Sequence, residues 1–380
     1  MQILPIASGK GGVGKSLIAA NLAIALGQAG KRTVLVDLDL GGSNLHLMLG
    51  IRSPGGGIGP FLGKGRMRFE DAILDTDYPN LRFVPGDAEI PGLANLAAGQ
   101  KRKLINRIAK LEAEFVVLDL GAGTNYNIVD FFLMGAHGII VTTPTPTAIV
   151  NAYLFLKNAV CRLMHNAFPP KSPAANYLNE LRKDSVSLSR LSVPALLAEL
   201  GKLDPESHQA YRSKAERFGP RIILNMLEDP KDAEKLSRLR TSCRQYLDLD
   251  PEHLGIIYRD DLQDKALASR IPLIRYKPGS VLAQAIYRIA DKLIQLQHEE
   301  TGLLLYDSTD DSFAEAEAEA ETDFNTKLEY VSELLHSGTL TTADLIETIK
   351  NQQIEISQLR KQNMLYKSKL VQAMNHGFKP

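Results

Sequence analysis

The nine residues SGKGGVGKS at positions 8–16 constrain this chain more than any other stretch. The spacing Gly9-x4-Gly14-Lys15-Ser16 is that of a phosphate-binding loop. Backbone N–H groups of Gly9, Gly11, Gly12, Val13 and Gly14 would turn toward an anion, Lys15 would bring charge to the β- and γ-phosphates, and the Ser16 hydroxyl would face Mg²⁺. Such a loop works only between a strand and the N-terminus of a helix, where backbone dipoles favour an anion. Ile3–Ala7 is a short apolar run and Leu17–Gly27 is rich in Ala and Leu at helical spacing, so both flanks agree. The fold class that follows is α/β: a doubly wound, mostly parallel sheet.

Lys10 departs from an ordinary loop of this kind. It is poorly placed to share its own loop's phosphates with Lys15, and a facing subunit offers it another triphosphate. Here the chain resembles the MinD/ParA ATPases with a deviant Walker A loop. The resemblance implies that this lysine enters the partner's site in an ATP-bound homodimer.

The continuous apolar run TVLVDLDL at 33–40 reads as a strand buried on both faces that ends in carboxylates. Asp37 and Asp39 would emerge at the same sheet edge as the phosphate loop, where they can hold a Mg²⁺-bound water or orient an attacking one. The loop GGSNLHLMLG that follows is similar to the family's first switch, with Asp39 at the position of its catalytic aspartate. FVVLDLGAG at 115–123 fits a Walker B strand whose Asp119 reaches Mg²⁺ through water. With VTTPTPTAIVNAY at 141–153 it resembles the FlhG/FleN branch, the MinD relatives that set flagellar number and position. The chain lacks the cluster cysteines of Mrp-type carriers and nitrogenase iron proteins: Cys161 and Cys243 are its only two, far apart.

RIILNML at 221–227 resumes the sheet, and the resemblance assigns Asn225 to adenine recognition. HLGIIYRDD at 253–261 is similar to the family's LGxIPxD strand, with Tyr258 in place of the usual proline, and makes Asp260 a candidate for the base pocket. Arg270, Pro272, Pro278 and Ser280 fit the closing signature. The ATPase domain is thus expected over 1–298, with a helical insertion or lid at 163–219. Pro5, inside a strand that should be central, can donate no ladder bond there.

Beyond the domain, Glu299–Asp323 holds ten acidic residues and no basic one, which reads as a solvated linker over 299–325. The tail 326–380 carries a 3,4-spaced stripe, Leu345, Ile349, Gln352, Ile356, Leu359, Asn363, Tyr366 and Leu370, expected to form a coiled coil over 342–372. Its basic, apolar end could touch an anionic membrane. Net charge is zero overall, but 1–298 carries +8, which permits DNA as a partner without favouring it.

The strand beginning at residue 3 argues against a signal peptide, and with two cysteines the chain reads as cytoplasmic, peripheral to the inner membrane face at most. The expectation is an ATP- and Mg²⁺-dependent switch. It dimerises through nucleotide and C-terminal helix, hydrolyses slowly until a protein activator or cargo stimulates it, and regulates the position or number of a cellular structure. A DNA-partitioning ATPase and a coiled-coil scaffold with a structural nucleotide are the alternatives.

Overall fold

β1 (Gln2–Ser8) lies at the centre of an eight-stranded sheet of order β3-β4-β2-β5-β1-β6-β7-β8. The other strands are β2 (Thr33–Leu38), β3 (Leu74–Asp75), β4 (Leu81–Val84), β5 (Phe115–Ala122), β6 (Ile139–Thr142), β7 (Arg221–Leu227) and β8 (Glu252–Tyr258). All pairs are parallel except β3 with β4. The computed structural model describes residues 1–40, 42–52, 56–63, 67–86, 96–183, 192–299, 313, 317–326 and positions 328, 329, 346, 349, 350, 353, 354 and 357. Residues 1–324 form one compact unit and 325–380 another.

Helices connect the strands: α1 (Lys15–Gln28), α2 (Leu45–Met48), α3 (Gly59–Leu62), α4 (Ala98–Ile108), α5 (Tyr126–Phe132) and α6 (Pro146–Ala167) in the first part. α7 (Pro173–Lys183), α8 (Val193–Leu203) and α9 (Pro205–Ala215) follow, then α10 (Glu234–Leu247), α11 (Leu262–Ala268), α12 (Leu273–Tyr276) and α13 (Val281–Glu299). Side chains alternate across a strand, so Val34 and Val36 enter one apolar core while Leu35 enters a second. Likewise Ile222 and Leu224 face the first core and Ile223 the second. α1 is buried nearly all round because it lies between the sheet and α13.

The segment 163–219 completes α6 and adds α7, α8 and α9 to the first core through Leu178, Leu196, Leu200 and Tyr211. Asp204 joins two of these helices: one carboxylate oxygen accepts from Ser207 N at 3.1 Å and the other from Ala174 N at 3.2 Å. These helices pack against α6 and α10 and are not among the residues lining the clefts at the phosphate loop.

Register explains Pro5. β6 pairs with β1 only from Ile6 onward. Before that point Gly135 lies beside the proline ring: a Cβ at Gly135 would stand 2.5 Å from Pro5 Cδ and 2.5 Å from the Ile3 carbonyl oxygen. The missing N–H therefore faces a loop, not a ladder partner. Gly135→Ala forces backbone apart in the central strand, and we expect it to lower unfolding stability by ~2 kcal/mol or more in urea titration.

The acidic stretch departs from the solvated linker read from composition. Within it Phe313 is buried and 317–324 are helical, with Ala320 and Asp323 also buried. Phe313 lies against His253, ring centroids 5.6 Å apart. Burial pushes the His253 imidazole down to about 3. The folded protein thus binds this proton less readily than the unfolded chain, so stability is full above pH ~6.5. It declines by ~1.4 kcal/mol per pH unit as pH falls toward 3. Acid titration of wild type against His253→Phe checks this, the variant losing that part of the decline.

Of the heptad stripe only Ile349 is described, and it is exposed. The other stripe residues, and positions 358–380 of the basic end, lie outside the described residues. Among the described residues no helix is long and apolar enough to cross a membrane.

Candidate nucleotide site

Parallel strands bring their C-terminal ends to one edge, and a switch in strand order opens a crevice there. β1 is such a switch point, flanked by β5 and β6. The loop after it carries Gly12 at φ 79° and Gly14 at φ 84°, left-handed values that only glycine adopts without strain. At Gly14 a side chain would also meet Asn225 Nδ2 at 2.3 Å. α1 begins at Lys15, so the free N–H groups of its first turn open toward the loop.

The two loop lysines occupy opposite settings. Lys15 is only 6% exposed. Its ammonium pairs with the Asp119 carboxylate at the end of β5 and donates to Ser16 Oγ at 3.2 Å. Lys10 is exposed at the rim, its Nζ donating to Thr147 Oγ1 on α6 at 3.4 Å.

Three carboxylates converge beside Lys15. Asp37, buried, accepts from Ser43 Oγ at 2.7 Å, Asp39 N at 3.1 Å and Leu45 N at 3.3 Å. Burial, reinforced by the Asp119 charge, raises its carboxyl to about 7. Asp119 is likewise raised by burial, against the opposing pull of Lys15. Asp39 sits against Gly121, where an added Cβ would stand 3.1 Å from its Oδ1, and it alone of the three is partly exposed. One ammonium among three carboxylates leaves surplus negative charge in a poorly solvated place, and with the Ser16 hydroxyl the donors are all hard oxygens. That set suits Mg²⁺. No group of three or more His, Cys, Asp or Glu among the described residues is arranged to hold a metal unaided. A bound Mg²⁺ would draw the rest of its shell from phosphate oxygens and water, as is usual for this ion.

Two clefts flank the loop. One, of about 310 Å³, is lined by Gly11–Ser16, Asp39, Met226 and α11 residues Gln263 and Asp264. The other, of about 430 Å³, is lined by Lys10, Pro144, Met226, Glu228 and Arg259 among others. Asn225 is fully buried beneath them, and its Nδ2 donates to the Val13 carbonyl at 2.8 Å, tying β7 to the phosphate loop. Asp260 lines neither cleft; its Oδ1 accepts from Leu262 N, at the start of α11, at 3.0 Å. Arg259, which no motif singled out, takes the cleft position beside it. Met226 carried no signal either, yet at φ 58° it lines both clefts.

The loop, the lysine pair and the carboxylate edge together define a nucleotide site. A model of the CobQ/CobB/MinD/ParA nucleotide-binding domain matches residues 4–274. The chain belongs to this MinD/ParA family. Among curated relatives, the antiactivator FleN of Pseudomonas aeruginosa is 30% identical over 77% of this chain and 86% of its own length. The flagellum site-determining protein YlxH of Helicobacter pylori is 26% identical over 80% of this chain and 84% of its own. In fold, this MinD/ParA chain is similar to the septum site-determining protein MinD of Pyrococcus horikoshii, solved with Mg-ADP. That match has TM-score 0.52 and 22% identity, covering 80% of this chain and 99% of that one.

Proposed function

We propose that this MinD/ParA-family protein is an ATP-driven switch that pairs with a second copy and sets the position or number of a cellular structure. The observation carrying this reading is the contrast between its two loop lysines: Lys15 turned inward onto Asp119 and Lys10 held at the exposed rim. A lysine buried on a carboxylate can exchange that partner for phosphate when a triphosphate enters. A lysine at the rim can reach a triphosphate on a facing copy.

In this reading the backbone of Gly9–Gly14 and the Lys15 ammonium hold the phosphates, and Ser16, Asp37, Asp39 and Asp119 face Mg²⁺. The ion supplies charge neutralisation to the phosphates. Asp39, at the lip of the cleft, orients the attacking water. The base occupies the cleft bounded by Pro144, Met226 and Arg259, and Asn225 Oδ1, buried without a hydrogen-bond partner, is left to accept an exocyclic amine. Asp260 supports that end through α11. The output in this reading is a change of partner or surface. The name of the YlxH relative, a flagellum site-determining protein, points to the placing of a flagellum as the regulated process. Mass in solution with ATP and with ADP tests the reading: ATP should raise it to that of two copies, ADP should not, and a single copy under both refutes it.

A further inference from the structure

Tyr258 stands where the family strand usually has proline, and its surroundings show what the change serves. Its hydroxyl donates to the Ala320 carbonyl at 2.8 Å, and its ring faces Phe324, centroids 6.2 Å apart. Ala320 and Phe313 are buried in the same core as Tyr258, with Phe324 packed against it. Cations of the ATPase domain surround the acidic segment. Arg288 on α13 pairs with Asp323, Lys292 meets Glu319 at 2.9 Å, and the Arg240 guanidinium on α10 lies 4.7 Å from the Phe313 ring centre. β8 is the last strand of the sheet, and its Tyr258 and His253 side chains are the ones this segment meets.

The run 258–267 links that edge to the nucleotide site. Arg259, next to Tyr258, lines the larger cleft, and its guanidinium meets Glu228 at 3.0 Å. Gln263, Asp264 and Leu267 line the smaller one. One ten-residue stretch therefore touches the acidic helix at one end and both clefts along the rest. Thirteen residues separate Glu299 from Phe313.

We propose that the face built by β8, α10 and α13 is a docking site for this chain's own acidic segment, Phe313 and the helical residues 317–324, and that its occupancy is coupled to nucleotide binding through 258–267. The docked helix braces Tyr258 and with it the placement of Arg259, so docking strengthens nucleotide binding. Linkage then requires nucleotide to strengthen docking by the same factor. The inference rests on the nucleotide-binding reading above.

Hydrogen exchange across 313–324 in the full-length protein, with and without saturating Mg-ADP, tests it alongside Mg-ADP affinity by calorimetry. The comparison is wild type, Tyr258→Phe, and the double variant Phe313→Ala with Asp323→Asn, whose changes lie outside the nucleotide machinery. Both variants should exchange at least about tenfold faster over 317–324 and bind Mg-ADP about fivefold more weakly, and Mg-ADP should slow wild-type exchange by that same fivefold. Unchanged exchange in the double variant overturns docking. Faster exchange with unaltered Mg-ADP affinity overturns the coupling. If wild type binds no adenine nucleotide, the reading of the site fails instead, and the exchange comparison still decides whether the helix docks.

Discussion

Asp39→Ala should leave ATP binding in place and lower turnover by ~100-fold or more, within the range that a positioned acid–base or water-orienting group supplies. Asp37 and Asp119 are each 1% exposed and already committed, Asp37 to Ser43 and two backbone amides and Asp119 to Lys15. Of these three acids only Asp39 lines the open cleft with Lys15 and Ser16, which places it to meet a water beside a γ-phosphate. Phosphate release measured beside equilibrium ATP binding checks this. Parallel loss of both would mean that Asp39 serves binding, and retained turnover would remove it from the mechanism.

Lys15→Ala has two effects in one variant. Without the ammonium the loop has no fixed positive charge at the phosphates, and nucleotide binding should fall below detection at millimolar concentration. The nucleotide-free protein should also be less stable, because Lys15 and Asp119 are a buried pair whose side chains are 7% and 2% exposed. Removing one member of such a pair costs about 3 kcal/mol. Burial already raises the Asp119 carboxyl, so protonation of the orphaned acid limits the loss. Urea unfolding without nucleotide measures the second effect. An unchanged midpoint would show that the pair contributes nothing to the empty fold.

The parts of this molecule that could be read from residues are those written in one continuous run. The phosphate loop is nine neighbouring residues between an apolar strand and an Ala/Leu helix, and the acids close β2 and β5, so strand ends and chemistry coincide. Pro5 resisted interpretation because its answer is a register, the late start of β6 pairing. The second tie of Asn225 was equally out of sight, because its Nδ2 donates to the Val13 carbonyl, 212 residues away. The acidic stretch misled because composition counts its glutamates without seeing that Phe313, Ala320 and Phe324 share one side and that Arg288 and Lys292 wait opposite. Hydropathy alone does not reveal a partner 62 residues distant, such as Ala320 for Tyr258.

The proposal of a nucleotide-gated pair turns on Lys10 alone among the loop residues, since every other one can act within its own copy. Mass in solution of wild type and Lys10→Ala, each with ATP and Mg²⁺ at saturating concentration, is the direct measurement. The account predicts a two-copy assembly for wild type and a single copy for the variant, with ATP still bound to both. A variant that pairs as readily as wild type would contradict it.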